Sequence, residues 1–356
     1  MHIPDGYLSP ATCAALYASA TPFWYAALRR VRALMHTRAV PVLALVAAFC
    51  FVIMMFNVPL PGGTSGHAVG IGLAVALLGP WASITSISTA LAIQALLFGD
   101  GGITAFGANS FNMAIVGSLV AWFVYSGVAA RSPLASRRRA VAAALAGYAG
   151  INAAAFCASI EFGIQPLLYR DAAGAPLYAP YPLGIALPAM MIGHLTVAGF
   201  AEAIASGGVI AFAQRSDPAL LRRAEQMIAS GLGPALKPLG ALLLALLVLT
   251  PLGLLASGTA WGEWPVSDFN DPAARQQIAA ATRNLPAPQQ APQGMARLAS
   301  AWRAPFQGYT AAWVSNARAG YLLSAVAGTG LMLAVAGAIV WRGRRRRGAR
   351  PAPARR

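Results

Sequence analysis

Apolar and polar positions along this chain fall into blocks, without the period of a strand or of a surface helix. Nine blocks are apolar: 8–28, 40–56, 67–79, 82–98, 109–128, 140–163, 182–213, 237–257 and 320–341. A helix crosses a bilayer core of about 30 Å with roughly 20 apolar residues. The blocks therefore predict membrane spans, the third and fourth being short for the task. The character changes near residue 231, where "GLGPALKP" reads as a hinge. The expected fold is all-α and integral to the membrane: a multi-span helical bundle of about seven spans over residues 1–230, then a two-span module over 231–341. That module encloses a segment at 258–318, and a basic tail follows at 342–356.

Composition agrees with this reading. Of the 356 residues 58% are hydrophobic and 10% charged, where soluble domains carry about a quarter charged. The net charge of +16 would suggest nucleic acid in a soluble protein, but the basic residues sit in clusters between spans. Arg29, Arg30, Arg32 and Arg38 follow the first block; Arg131 and Arg137 to Arg139 the fifth; Arg215, Arg222, Arg223 and Lys237 the seventh; eight arginines the ninth. Those clusters hold 20 of the 26 basic residues, and Arg170, Arg275, Arg283, Arg297, Arg303 and Arg318 fall in the alternate loops. The bias places the arginine-rich side in the cytoplasm, the N-terminus outside and the C-terminus inside, as a multi-pass protein of the inner cell membrane. The acid-free tail then meets anionic lipid, and the bilayer, not nucleic acid, is the expected partner. Trp81, Trp261, Trp264, Trp313 and Trp341 stand near span ends, where an interfacial belt would have them. "ASA" at Ala18 to Ala20 resembles a signal cleavage site, but Asp5 precedes the apolar block and the arginines follow it, the reverse of a signal peptide.

Cys13, Cys50 and Cys157 lie singly in apolar stretches, so neither a disulfide framework nor a thiolate metal site is indicated. No GxxxxGK[ST] phosphate loop occurs. The chain is read as a non-enzyme without a prosthetic group, and any ATP-driven role needs partner ATPases.

An outward N-terminus gives "MHIPDGYLSP" a chemical meaning. The amine of Met1, the backbone nitrogen of His2 and its imidazole can close two small rings around one ion. A fourth nitrogen completes the tetragonal arrangement that suits Ni(II) and Cu(II). "NVPLPGGTSGH" leaves the second block, turns through Pro59, Pro61, Gly62 and Gly63, and delivers His67 to the same membrane face. Alone, His2 reads as a solvated terminal residue and His67 as a polar residue at a helix start. Together they make a ligand set.

"MHIPDGYLSP", "GGTSGH" and "LFGDGGITAFGANSFNMA" resemble the CbiM/NikM family, the substrate-binding components of energy-coupling-factor cobalt and nickel transporters. The likeness covers about residues 1–230. It implies a substrate-specific component of an ABC-type importer of Co²⁺ or Ni²⁺, with a transmembrane coupling subunit and ATPase subunits as partners. It also implies Met1, His2 and His67 as the metal ligands. "TPLGLLASGTAWGEW" and the two spans around an extracytoplasmic segment resemble a fused CbiN/NikN or PDGLE-type accessory component; "NLPAPQQAPQG" within it reads as a flexible insert.

Other polar residues invite roles. Asp5, Ser65, Asp100 and Asn109, with Ser110 and Asn112 beside it, are candidates to support the metal loop, or Asn109 or Ser110 simply caps the fifth span. His194 and Glu202 lie about two turns apart on one helix face. They are either satisfied within the bundle or the proton-coupling pair of an autonomous secondary metal/proton transporter. Glu161 stands near the outer end of the sixth span. Ala11, Ala15 and Ser19, with Ala14 and Ala18, make a small-residue face for docking the coupling subunit.

Overall fold

The computed structural model describes residues 1–34, 40–216, 221, 236–256, 258–311 and 313–348. Arg38, Arg222, Arg223, the first part of the 231 hinge and the end of the basic tail lie outside the described residues. Helix α1 (Pro10–Leu34) starts where Ser9 Oγ accepts the Thr12 amide at 3.1 Å, with proline at the first turn. Arg29, Arg30 and Arg32 therefore fall inside the helix, not in a loop after it, and the Arg30 guanidinium stacks 3.9 Å over the Trp81 ring.

Helix α2 (Val40–Met54) is buried at nearly every position, which is why it reads as apolar all round. A short hairpin follows, β1 (Val58–Leu60) antiparallel to β2 (Thr64–Gly66), turning through Gly62 and Gly63 at φ 84° and 75°. It carries the chain into α3 (Ile71–Phe98). That helix is broken at Gly79, where φ 74° and ψ 176° precede Pro80. A straight helix of this length would run about 40 Å. Yet His67, just before it, and Asp100, just after it, both lie within 3.2 Å of one ring nitrogen of His2. The chain must reverse at the break, so blocks 67–79 and 82–98 are two arms of one broken helix, with both ends at the same end of the bundle.

Four further elements complete the first region and its junction: α4 (Phe106–Ala129), α5 (Arg137–Leu168), α6 (Leu183–Ser216) and α7 (Leu236–Leu249). Close approach depends on small residues. Gly72 of α3 faces the Ala143 carbonyl and Gly147 of α5 so tightly that any Cβ would collide. The chain then forms two short helices, α8 (Pro272–Ala281) and α9 (Gln293–Leu298), before the last long helix, α10 (Ala317–Gly348). Among the described residues six helices are long and apolar enough to cross a membrane, and α2 is a shorter apolar one. The protein is a multi-span helical membrane protein.

The part of the 258–318 segment that follows the stretch read as a flexible insert is pinned over the first region. The Met295 amide donates to the Leu177 carbonyl at 3.0 Å, the Phe306 amide to Leu97 at 2.9 Å, and the Trp302 indole to Leu96 at 2.9 Å. Trp261 and Trp264, expected in an interfacial belt, are buried edge to face with each other and with Phe162 or Tyr181. They roof the bundle, their rings packed against Phe162 and Tyr181.

Candidate metal centre

The first three residues run inside the protein: Met1, His2 and Ile3 are 4%, 1% and 0% exposed. An extended backbone can be buried only if its amides and carbonyls find partners. Asn109 supplies both kinds, its Oδ1 accepting the Ile3 amide at 2.8 Å and its Nδ2 donating to the Ile3 carbonyl at 3.0 Å, while the Gly102 amide adds a second donor to that carbonyl at 2.8 Å. Further along, Asp5 accepts from the Ile103 and Thr104 amides, the Tyr7 hydroxyl donates to the Trp264 carbonyl, and the Ser9 amide donates to Gln165.

His67 enters from the hairpin. Its Nδ1 lies 3.0 Å from the Ala68 carbonyl, which assigns the proton to Nδ1 and leaves the Nε2 lone pair free. That Nε2 lies 3.2 Å from His2 Nδ1, with the rings stacked at 4.8 Å between centroids. Two nitrogens bound about 2.0–2.1 Å from one ion at a right angle would stand about 2.9 Å apart, so the pair needs only a few tenths of an ångström to share a metal. Burial pushes the His67 imidazole well below its usual range, and the positive charges of His2 and the N-terminus add to this; Asp100 and the Ala68 hydrogen bond act in the other direction.

Two carboxylates complete the surroundings. Asp100 Oδ1 lies 3.0 Å from His2 Nδ1, while its Oδ2 accepts from the Tyr309 hydroxyl at 2.5 Å and from Gln94 Nε2 at 3.2 Å. Burial alone would raise this carboxyl; the charge and hydrogen bond of His2, then His67 and Tyr309, outweigh it and hold it well below the usual carboxylate range. The Met1 ammonium pairs with Glu263 Oε1 at 2.5 Å.

Met1, His2, His67 and Asp100 thus meet in space, with Asn109 one residue removed. Asp5 does not join them; it organises the 102–104 turn. Ser65 Oγ donates to the Gly258 carbonyl at 2.9 Å and faces the C-terminal module. Asn112 donates to Glu161 at 2.8 Å, while Ser110 Oγ is buried with no partner among the described residues. His194 Nδ1 bonds to the Met190 carbonyl of its own helix at 2.8 Å. Glu202 Oε2 accepts the Val69 and Gly70 amides at 2.7 and 2.8 Å, and its Oε1 the Gly72 amide at 3.2 Å. It caps the positive end of α3, two residues beyond His67. Glu263, Tyr309 and Gln94 escaped the sequence reading; the one signal for Glu263 was a lone acid in the apolar "TAWGEW".

The lowered His67 value fixes a pH dependence. Unfolded, this histidine takes a proton near its ordinary value of about 6.5; folded, it refuses one until well below that. The unfolded state then binds more protons, so stability falls with pH below about 6.5. We expect the melting temperature in detergent to drop between about pH 7 and pH 5, and His67→Gln to flatten that drop.

Fold and site together define a multi-pass membrane protein whose buried N-terminus meets a nitrogen-rich cluster. Residues 2–220 match the CbiM family, described as "Cobalt uptake substrate-specific transmembrane region", and residues 237–345 match the PDGLE domain. The chain is 54% identical over 342 residues to the "Fused nickel transport protein NikMN" of Rhodobacter capsulatus, covering 94% of this chain and 95% of that one. It is 31% identical over 272 residues to the "Cobalt transport protein CbiM" of Geobacter sulfurreducens, covering 75% of each. A crystal structure described as that of a transition metal transporter is 50% identical and superposes with a TM-score of 0.57, covering 61% of this chain and 94% of that one. The chain belongs to the CbiM/NikM family of nickel and cobalt transport proteins, with a PDGLE domain fused behind it.

Proposed function

We propose that this chain is the substrate-specific component of an energy-coupling-factor importer, capturing Ni²⁺ or Co²⁺ outside the inner cell membrane. The approach of His67 Nε2 to His2 Nδ1 at 3.2 Å, beside a buried chain terminus, carries the proposal. The Met1 amine, the His2 backbone nitrogen and His2 Nδ1 form the chelate, the ion displacing the ammonium and amide protons to water, and His67 Nε2 supplies the fourth nitrogen. Four nitrogens around one ion favour the tetragonal metals. Asn109 holds the chelate's backbone through Ile3, and Asp100 offsets the ion's charge. The ion is cargo, not a resident cofactor. The near full-length likeness to a protein named for nickel transport supports Ni²⁺ ahead of Co²⁺.

The basic clusters support an outward N-terminus and a cytoplasmic C-terminus. Lacking a phosphate loop, the chain depends on a coupling subunit and ATPases, and the exposed Ala11, Ala15 and Ser19 of α1 suit docking of the former. The competing reading is a secondary metal/proton transporter driven by His194 and Glu202. It is disfavoured because the Glu202 carboxylate is committed to three backbone amides. The test is uptake of radioactive Ni²⁺ into cells. We expect sustained accumulation only when coupling and ATPase subunits are co-expressed, and its collapse when ATP is depleted. Uptake by the purified chain alone in liposomes, driven by a proton gradient, would establish the competing reading instead.

A further inference from the structure

A cleft of about 370 Å³ opens above the metal centre, between the 99–102 turn of the first region and the C-terminal module. Asp5, Asp100 and Glu263 line it, together with Trp264, Trp302 and Gln307, and among the described residues no lysine or arginine does. In a chain with 26 basic and 10 acidic residues, three of the acids facing one basic-free cleft make a focused negative field. Met1, His2 and His67 are not part of the lining. The Asp100 and Glu263 side chains are 19% and 18% exposed, while those of His2 and Met1 are 2% and 1%. A cation arriving through the cleft therefore meets carboxylate oxygens before it meets nitrogen. Those oxygens and one ring nitrogen of His2 lie within 4.8 Å of one another, close to the separation of about 4.2 Å between opposite ligands of an octahedral ion bound at about 2.1 Å.

Resting on the proposed chelate, we infer that Asp100 and Glu263 form a loading station for a hydrated divalent transition-metal ion, half of it contributed by the fused C-terminal module. The station takes the ion from water on hard oxygen ligands, which suit a hydrated ion. It then passes the ion inward to the Met1 nitrogen beside Glu263 and the His2 imidazole beside Asp100, the Met1 ammonium releasing its proton to water as the ion binds. Glu263 reaches the Met1 amine and Asp100 the His2 ring, so each oxygen stands next to the nitrogen that receives the ion. Tyr309 and Gln94 hold Asp100 in place from behind. The module thereby acts on the rate of loading.

The experiment uses the full chain with its native N-terminus, measuring Ni²⁺ association by stopped flow and dissociation into excess chelator. Glu263→Gln keeps the shape and an oxygen acceptor for the amine but removes the charge. A station speeds exchange in both directions, so association and dissociation should both slow by about tenfold, with a weaker dependence of association on salt. Gln307→Glu adds a carboxylate to the cleft wall; it should quicken association in the native background and restore it in Glu263→Gln. Native association rates in Glu263→Gln would overturn the station, as would faster dissociation alone, which marks Glu263 as a ligand of the resting site. If Glu263→Gln does not fold, an unchanged association rate in Gln307→Glu overturns it by itself. Failure of the chelate shows separately, as equal Kd values for the native chain and a chain extended by one residue at its N-terminus.

Discussion

One residue added ahead of Met1 will weaken Ni²⁺ binding by at least about a hundredfold. Losing a partner that only orients a ligand already costs about 10–100-fold in metal affinity, and here a ligand itself is moved. The extension carries the free amine one residue away from the His2 ring and opens the first chelate ring. The tripeptide that bears the amine is buried and tied by Asn109 and Gly102, so the added residue has no room to fold back. It also separates the ammonium from Glu263, its partner at 2.5 Å. His2→Ala should cost as much, because it deletes the ring that closes the second chelate. His67→Ala should cost less, leaving three nitrogens of the terminal chelate in place. Titration of the purified chain with Ni²⁺, with thermal unfolding in parallel, separates lost ligation from lost fold. Equal affinity in the extended and native chains would remove the amine from the ligand set and with it the proposed site.

Glu202→Ala will be the most damaging single change within the bundle. Glu202 is 0% exposed and its carboxylate accepts three backbone amides, from Val69, Gly70 and Gly72, and the Ser206 hydroxyl at 2.8 Å. Alanine leaves those three amides at a helix start without an acceptor. Each buried donor left unpaired costs about 1–3 kcal/mol, so the sum for three is roughly 3–9 kcal/mol. Glu202→Gln should fall between the two, since one of its two groups is an amide donor facing other donors. His67 is two residues before the first of these amides, so Ni²⁺ affinity should fall along with stability. Melting temperatures of the three chains in one detergent decide the matter: an alanine variant that melts with the native protein would show that the cap is not what holds α3.

The membrane class could be read directly from the chain, because twenty consecutive apolar residues have few ways to be satisfied except in lipid. The proposed terminal chelate can be written from the chain as well. The Met1 amine, the His2 nitrogen and the His2 ring are covalent neighbours, so their ability to ring one ion is a property of two residues and of no fold. His67 could be inferred from the glycine and proline turn that delivers it.

Only the tertiary structure decided what surrounds those atoms. Glu263 stands 262 residues from Met1 and Tyr309 stands 209 residues from Asp100, and no periodicity reports a contact between such distant positions. Trp261 and Trp264 illustrate the same limit: at a span end an aromatic residue fits an interface or a protein roof equally well, and packing against Phe162 and Tyr181 made the choice. Glu202 was visible as a costly charge in an apolar helix, but its three acceptor bonds exist only because α6 crosses the start of α3. The two arms of α3 looked like separate short spans because hydropathy records apolar length and not direction; the break at Gly79 and the bond from His67 to His2 supply the direction. Local covalent chemistry is fixed by neighbours in sequence, whereas long-range polar pairing is fixed by which helices pack together, and that depends on every small-residue crossing in the bundle at once.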